Sequence, residues 1–271
     1  MDDTSVNEWL GYAKSWATHA GAMMLEAREK TSFSEQYKSG HELVTSTDLA
    51  IDDYLCEQIK QTFPDHLILS EESSPDLELA THSDVPVWVI DPIDGTINFA
   101  QGLLHVAVSI AVYYQGQRWV GVVHAPFLCE TYSAVKGQGA WLNGTALKVS
   151  GRSELRNAIV ATGFPYNKDT LPDLIELLGR VLEHSQDIRR NGSAALDLCA
   201  VARGQMDAYY ESVKPWDMAA GALIATEAGA KVGHFSESKQ SWPTAINGDY
   251  LIAATPDVYH LLLDVLQVSK K

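Results

Sequence analysis

The chain has 271 residues, of which 46% are hydrophobic and 20% are charged. This is the composition of a globular protein, and the length suits one large domain or two fused lobes around a substantial core. The formal net charge of -15 argues against a general binder of nucleic acids or anionic membranes, because basic patches hold such partners. An acidic chain can still bind a phosphate where metal cations reverse the local charge.

The cysteines and the N-terminus indicate the compartment. Cys56, Cys129 and Cys199 are far apart and form no C-x-x-C pair, so neither a zinc site nor a disulfide framework is indicated. We expect a reduced, cytoplasmic setting. The first ten residues, MDDTSVNEWL, lack the apolar core of a signal peptide, and the longest apolar segments are only as long as strands. We therefore expect no membrane span.

An amphipathic helix is predicted at the N-terminus. It runs to about Arg28, because apolar residues recur up to that point at spacings of three and four. These residues are Val6, Trp9, Leu10, Ala13, Trp16, Ala17, Ala20 and Met24. The polar segment 33–42 that follows suggests a loop.

A second helix and a short strand are predicted next. Thr47 and Asp48 can cap the helix. The residues on its buried face are Ile51, Leu55 and Ile59. Residues 67–69 predict a strand that ends at Glu71, and residues 73–86 predict a loop.

The middle of the chain predicts an antiparallel meander. Two apolar segments, 106–112 and 119–123, flank the hairpin signal Gln115-Gly116-Gln117. Further turn signals lie at 136–139 and 143–144.

From about residue 158 the pattern changes to strands that alternate with helices. The predicted strands are 158–161, a segment at Ile188, 207–210 and 251–254; the predicted helices are 172–183, 193–203, 217–228 and one from Pro256. The sequence therefore predicts a layered α/β protein of two lobes, residues 1–150 and 151–271, with a boundary near Ser150.

The segment WVIDPIDGTINF, residues 88–99, places two carboxylates on one bend directly after a predicted buried strand. Asp91 and Asp94 repel each other unless a cation lies between them. Glu71 at a strand end and Asp217 at a predicted helix start supply further carboxylates, and a set of oxygen ligands alone suits Mg²⁺. Simpler interpretations remain for each part, since Asp-Pro and Asp-Gly form turns, Glu71-Glu72 suits a solvated pair and Asp217 suits an N-cap.

The residues behind the two carboxylates suit a phosphate. Gly95 lets the backbone approach a ligand closely, and Thr96 offers a hydroxyl beside it. A helix that starts here would add free N–H groups.

Two segments resemble the signature motifs of the inositol monophosphatase family. They are WVIDPIDGTINF at 88–99 and PWDMAAGALIATEAGA at 215–230. The resemblance extends to HELVTSTD (41–48), LSEES (69–73), GQGAWLNG (137–144), GSAALDLCAVARG (192–204) and DAYYE (207–211). It implies an αβαβα layered sandwich that forms a homodimer, and sensitivity to Li⁺.

The resemblance also implies metal ligands for two to three Mg²⁺ ions. One ion would be held by Glu71, Asp91 and the backbone carbonyl of Ile93, and a second by Asp91, Asp94 and Asp217. A third, weaker ion would involve Glu71 and water.

Catalytic and substrate-binding residues are implied in the same way. Thr96, assisted by Glu71 and Asp48, would orient or activate the attacking water. The implied substrate-binding residues are Asp94, Gly95, Thr96, Gly192, Ser193, Ala194, Glu211 and Asp217, of which Gly95 and Thr96 would receive the phosphate.

Some residues depart from the family pattern. Ile97 stands where many members have threonine, and residues 227–230 lack the usual paired glycines. One residue fewer than in animal enzymes separates Glu211 from Asp217, a spacing that resembles bacterial members.

The leading hypothesis is a Mg²⁺-dependent enzyme that hydrolyses inositol monophosphate to inositol and phosphate. The alternatives are a related phosphatase for fructose 1,6-bisphosphate, 3′-phosphoadenosine 5′-phosphate or histidinol phosphate, or a phosphatase that also serves as a transcription-associated binding protein. The expected partners are a small phosphorylated polyol or sugar and a second copy of the chain, without a membrane. The acidity of the chain argues against direct contact with nucleic acid.

Overall fold

The structure is a computed structural model. It describes residues 3–31, 33–38, 42–73, 84–165, 169, 171–238 and 242–267. The helices are α1 (Asp3–Glu29), α2 (Ser46–Thr62), α3 (Thr96–Ala100), α4 (Leu171–His184), α5 (Ala194–Ala202), α6 (Pro215–Glu227) and α7 (Pro256–Gln267). The strands of the first half are β1 (Glu35–Lys38), β2 (Glu42–Thr45), β3 (Leu67–Ser70), β4 (Val87–Asp94), β5 (Ala107–Tyr114), β6 (Gln117–Ala125), β7 (Glu130–Val135), β8 (Ala140–Leu142) and β9 (Thr145–Ala146). Those of the second half are β10 (Ile159–Thr162), β11 (Asp187–Arg189), β12 (Ala208–Glu211), β13 (Lys231–His234) and β14 (Leu251–Ala254).

A seven-stranded sheet occupies the first half of the chain, in the order β3-β4-β5-β6-β7-β8-β9. Each strand from β4 onward is antiparallel to the next, which confirms the predicted meander. Strand β3 is instead parallel to β4. The hairpin between β5 and β6 turns at Gln115 and Gly116, both with positive φ, as a tight two-residue turn requires.

A five-stranded sheet occupies the second half, in the order β11-β10-β12-β14-β13. Strand β10 is parallel to both β11 and β12, whereas β14 is antiparallel to β12 and β13. The strands of the two sheets thus fall on opposite sides of Ser150.

Three apolar clusters define the layers. Helices α1 and α2 pack on one face of the seven-stranded sheet through residues such as Trp16, Ile51 and Trp88. Helices α5 and α6 fill the space between the two sheets. The outer face of the five-stranded sheet is covered by α4 and α7. The order is therefore helix, sheet, helix, sheet, helix, as predicted.

Strand β4 is buried along its whole length because both faces of its sheet are covered. Trp88 and Ile90 point towards α1 and α2, and Val87 and Val89 point towards α5 and α6. This burial explains why its sequence is a continuous apolar segment that ends only where the carboxylates begin.

The prediction of a loop at 33–42 is wrong where the structure describes it, because β1 pairs with β2 as an antiparallel hairpin. Strand β1 is largely exposed, so its side chains show no apolar alternation that would mark a strand. The predicted loop at 73–86 lies mostly outside the described residues.

Two helix starts and one strand also differ from the prediction. The N-cap of α2 is Thr45, whose side chain accepts from the N–H groups of Thr47 and Asp48. The Asp48 side chain in turn accepts the N–H of Thr45, which completes a capping box. Helix α6 begins at Pro215, a residue suited to the first position of a helix. Strand β13 was not predicted.

Candidate metal centre

Glu71 and Asp91 come together because β3 and β4 are parallel. The register pairs Ser70 with Ile90, so the next residue on each strand, Glu71 or Asp91, lies at the same level. The N–H of Glu71 still donates to the carbonyl of Ile90 at 3.4 Å. The side chains of Glu71 and Asp91 therefore lie side by side.

A bulge in β4 determines where Asp91 and Asp94 point. Asp91 lies opposite Ser109 and Asp94 opposite Ala107, so three steps on β4 match two on β5. The extra residue reverses the usual alternation of side chains, so that both carboxylates can serve one site. Pro92 is tolerated at this point, where the ladder is interrupted.

Asp217 approaches from the second half of the chain. It is the third residue of α6, and its Oδ2 accepts the N–H of Lys214 at 2.7 Å. The hydroxyl of Ser109 on β5 donates to the carbonyl of Trp216 at 3.1 Å, which anchors the start of the helix on the seven-stranded sheet.

Glu71, Asp91 and Asp217 each offer an oxygen, and these three oxygens lie within 4.8 Å of one another. Burial raises the pKa of Glu71 and Asp91 well above the ordinary range, with further increases from neighbouring carboxylates. Burial, followed by repulsion from Asp94, raises the pKa of Asp217 to about 7. The cluster is therefore unfavourable as three bare anions.

The donor set fits Mg²⁺. It consists of carboxylate oxygens without histidine or thiolate, which is the ligand type of a hard divalent cation. Because their pKa values are raised, these carboxyl groups tend to keep protons when no cation is bound. A cation can replace such protons and relieve the repulsion among all three groups.

Asp94 is not one of these three residues. Its Oδ2 accepts from the Ser193 hydroxyl at 2.6 Å and from the Ala195 N–H at 2.7 Å, at the start of α5. Burial nevertheless raises its pKa to about 6. Asp94 thus joins the bend on β4 to the second half of the chain, while Ala194 forms the first turn of α5 beside it.

Thr96 and Asp48 lie next to the carboxylates. The Thr96 hydroxyl is 3.1 Å from Asp48 Oδ1 and 3.1 Å from the carbonyl of Ile93, and its single proton can be donated to one of them at a time. Burial raises the pKa of Asp48 to about 6. The carbonyl of Ile93 is therefore free of this bond whenever Thr96 donates to Asp48.

Gly95 has no room for a side chain. Its φ is +99°, and an added Cβ would lie 3.0 Å from the carbonyl oxygen of His105 and 3.1 Å from that of Gly192. Residues 95 and 192 therefore pack backbone against backbone where the two halves of the chain meet.

Glu211 lies at the end of β12. Its Oε2 accepts from the Tyr209 hydroxyl at 2.8 Å, and burial raises its pKa to about 8. An added Cβ on Gly163 would come within 2.2 Å of the carboxylate, so glycine leaves the space that Glu211 fills. Asp217 also raises this pKa, so the two carboxylates lie close enough to repel each other.

The sequence matches the inositol monophosphatase family over residues 5–270. The chain belongs to the inositol monophosphatase family. The family typically uses Mg²⁺, in agreement with the carboxylate cluster.

Similar proteins include both inositol monophosphatases and a Nus factor by name. The chain is 38% identical over 265 residues to the Nus factor SuhB of Pasteurella multocida, with 97% of each chain covered. It is 30% identical to an inositol monophosphatase of Thermotoga maritima, which covers 96% of each chain with a TM-score of 0.83. Inositol monophosphatase II of Staphylococcus aureus, solved with inositol monophosphate bound, shares 28% identity over 95% of this chain and 94% of the other, with a TM-score of 0.78.

In this family member, a polar network beside Asp94 was missed by the sequence reasoning. The Asn98 side chain donates to the carbonyls of His105 and Asn191 at 2.8 and 2.7 Å. Asp197, on α5, accepts from the Asn191 side chain at 2.7 Å and lies 3.4 Å from the His105 ring. These residues are far apart in the sequence, so only the spacing of Asp197 after Ser193 could have hinted at a contact.

No helix in the described ranges has the length and apolarity needed to cross a membrane.

Proposed function

We propose that the chain is a Mg²⁺-dependent phosphoric monoester hydrolase whose substrate is inositol monophosphate or a similar small polyol or sugar phosphate. The observation that carries the proposal is the group of three carboxylates, Glu71, Asp91 and Asp217, with oxygens within 4.8 Å of one another. Membership of the inositol monophosphatase family supports the reaction class. The similarity to the Staphylococcus aureus enzyme that was solved with inositol monophosphate bound supports the substrate.

The proposed ligands are Glu71, Asp91, the carbonyl of Ile93, Asp94 and Asp217. Mg²⁺ at this site would neutralise phosphate charge, lower the pKa of the attacking water and stabilise the leaving oxygen. Gly95 and Thr96 contribute the phosphate-facing backbone at the start of α3. The two halves of the chain then act as one catalytic unit, since Asp217 lies in the second half.

Thr96 is proposed to orient the attacking water. When its hydroxyl proton is donated to Asp48 Oδ1, the oxygen is free to accept an O–H from that water. Asp48 is mostly ionised at neutral pH because its pKa lies at about 6, so it can take the proton. As the water oxygen bonds to phosphorus, the water gives a proton through Thr96 to Asp48. The phosphorus–ester oxygen bond breaks, the departing alkoxide takes a proton from solvent, and Asp48 releases its own proton to solvent, which gives the free alcohol and hydrogen phosphate.

The polyol is proposed to meet Gly192, Ser193, Ala194 and Glu211. A carboxylate of Glu211 at the end of β12 can accept from substrate hydroxyls. Gly192, Ser193 and Ala194 lie at the start of α5, where the Ser193 hydroxyl donates to Asp94.

A substrate panel tests the proposal. The panel contains inositol monophosphate, fructose 1,6-bisphosphate, 3′-phosphoadenosine 5′-phosphate, histidinol phosphate and p-nitrophenyl phosphate. In the presence of Mg²⁺ we expect inositol monophosphate to be hydrolysed fastest. Chelation should abolish activity, and Li⁺ should inhibit it while Na⁺ does not. Absence of hydrolysis for every substrate at saturating Mg²⁺ would refute the enzyme, and a preference for another substrate would refute the inositol assignment alone.

We also propose that the protein serves as a transcription-associated binding protein. The observation that favours this second role is 38% identity to a Nus factor over 97% of both chains. The net charge of -15 favours a protein partner over direct contact with RNA.

Affinity purification from cells that express the tagged chain tests the second role. We expect identified components of the transcription apparatus to co-purify with both the wild type and Asp91→Asn, because Asp91 is 1% exposed and its change to asparagine leaves the surface unaltered. Enrichment no greater than with an untagged control would contradict the proposal.

We also propose that the protein assembles as a homodimer, because the resemblance to the family implies one. Light scattering measures the oligomeric state.

A further inference from the structure

Helix α2 carries a polar stripe, formed by Asp48, Asp52 and Cys56, that faces the metal centre. The three residues are spaced four apart, so they lie on one face of the helix. All three are buried, and Asp52 is 2% exposed. The reaction proposed above uses only Asp48, so the burial of a second carboxylate needs another explanation.

Each residue of the polar stripe contacts a different part of the centre. Asp48 accepts from Thr96 at 3.1 Å. Asp52 Oδ1 accepts from the hydroxyl of Ser70, the last residue of β3. Cys56 Sγ lies 3.5 Å from the hydroxyl of Ser73. The bonds to Ser70 and Ser73 therefore bracket Glu71 on both sides.

Glu71 needs such support, because its backbone bond to β4 is long. The distance from its N–H nitrogen to the carbonyl of Ile90 is 3.4 Å, close to the limit for a hydrogen bond. The chain leaves the sheet at this residue. Its neighbour Glu72 is held separately by Lys38, at 2.5 Å. Without the contacts to α2, the sheet alone would orient the Glu71 side chain only weakly.

We propose that Asp52 is a positioning residue for the metal centre, which acts through Ser70 to fix Glu71 at a set distance from Thr96. Helix α2 supplies that distance, because one rigid turn separates Asp48 from Asp52. The contact that matters is the hydrogen bond accepted by Asp52 Oδ1, and the negative charge of Asp52 is secondary. The inference depends on Glu71 being a metal ligand but does not depend on the identity of the substrate.

Direct Mg²⁺ binding, measured by calorimetry on the full chain without substrate, tests the proposal. We expect Ser70→Ala and Asp52→Ala to weaken Mg²⁺ binding roughly tenfold, at the lower end of the effect of supporting residues in metal sites. Asp52→Asn should bind nearly as well as the wild type, because the amide oxygen can still accept from Ser70. Asp53→Ala is the matched control, since Asp53 is the next residue on α2 and is exposed.

Three results would overturn the proposal: unchanged Mg²⁺ affinity in Ser70→Ala, equal weakening in Asp53→Ala, or loss in Asp52→Asn as large as in Asp52→Ala. Urea unfolding of each metal-free variant shows whether it is folded. If Asp52→Ala is not folded, the comparison of Ser70→Ala with Asp52→Asn decides. Glu71→Gln tests the proposed metal ligand separately from the positioning role of Asp52. Unchanged Mg²⁺ affinity in this variant would refute Glu71 as a ligand, whatever the role of Asp52.

Discussion

Asp91 combines two roles in one buried side chain. It is 1% exposed, its Oδ1 accepts the N–H of Ile93 at 3.0 Å, and its carboxylate faces Glu71 and Asp217. An asparagine would keep the oxygen that accepts from Ile93 but would lose the charge. Catalysis and local folding can therefore be separated at this residue.

We expect Asp91→Asn to abolish phosphatase activity while the protein remains folded. The free energy of unfolding of the metal-free protein should rise by about 1 kcal/mol or more, because one buried like charge is removed. Steady-state kinetics and urea unfolding in a chelator measure the two effects. Turnover close to that of the wild type at saturating Mg²⁺ would exclude Asp91 as a ligand.

Glu211 is expected to determine substrate preference through hydrogen bonds to polyol hydroxyls. Above the pKa of Glu211, at about 8, loss of such charge-assisted bonds costs about 1.5–3 kcal/mol, roughly a ten- to hundredfold fall in kcat/KM. We expect Glu211→Ala to show that fall on inositol monophosphate and a much smaller one on p-nitrophenyl phosphate, which has no neighbouring hydroxyls.

Tyr209→Phe should reduce kcat/KM in the same selective way but less, because it removes only the 2.8 Å bond that orients Glu211. Tyr210→Phe is the matched control, since Tyr210 packs on the other face of the five-stranded sheet. Equal losses on both substrates, or none in either Glu211→Ala or Tyr209→Phe, would remove Glu211 from the substrate site.

The residues of the candidate site were predictable where a short segment of sequence alone indicates the chemistry. Two carboxylates on one bend after an apolar strand indicate a cation whatever the fold, so Asp91 and Asp94 stand out. Asp52 does not stand out, because its neighbour Asp53 has the same side chain and only the structure distinguishes the buried residue from the exposed one. The difference comes from the angle at which α2 packs on the sheet, which no short segment determines.

At the scale of elements, α6 lies unusually close to the seven-stranded sheet. An added Cβ on Gly121 of β6 would come within 2.8 Å of the carbonyl oxygen of Ala220, three residues after Asp217. The absence of a side chain on Gly121 thus sets how deeply the helix that carries Asp217 can approach the other carboxylates.

We expect Gly121→Ala to destabilise the protein by about 1–3 kcal/mol, because backbone must move to admit the methyl group. The shift of α6 should also weaken Mg²⁺ binding. Thermal unfolding and calorimetry measure the two effects, with Gly11→Ala as the control, since an added Cβ on Gly11 in α1 meets nothing within 4 Å. A variant that unfolds and binds Mg²⁺ like the wild type would show that the close approach has no bearing on the site.

Elements with a clear apolar period were predicted to within a few residues, and those governed by caps or exposure were not. Three residues in succession, Thr45, Ser46 and Thr47, can each cap a helix, and the reciprocal bond from Asp48 selects Thr45. Strand β1 is an exposed edge with no core to face, so its sequence carries no period.

At the scale of the whole molecule, the buried carboxylates make stability depend on pH and on metal. In the metal-free protein the pKa of Asp217 rises from 3.8 to about 7, so the folded state binds more protons than the unfolded chain between these values. The stability contributed by this protonation is present at low pH and is lost as the pH rises through about 7. Asp94, with a pKa of about 6, acts in the same direction.

We therefore expect the increase in Tm on addition of Mg²⁺ to be larger at about pH 8 than at about pH 5.5, because ionised ligands bind the cation without first losing a proton. Thermal unfolding in chelator and in excess Mg²⁺ at both pH values gives the two differences. Asp91→Asn should show a reduced difference at the higher pH. The same increase at both pH values would contradict protonated carboxylates in the metal-free site.

The placement of ligands in different halves of the chain has a consequence for synthesis. Glu71 and Asp91 leave the ribosome early, with like charges and no third ligand beside them, and Asp217 follows more than a hundred residues later on α6. A nascent or truncated chain that ends before α6 therefore cannot hold the ion with all three carboxylates. We therefore expect tight retention of Mg²⁺ only in chains long enough to include a docked α6, which would distinguish them from shorter chains in a mixed population.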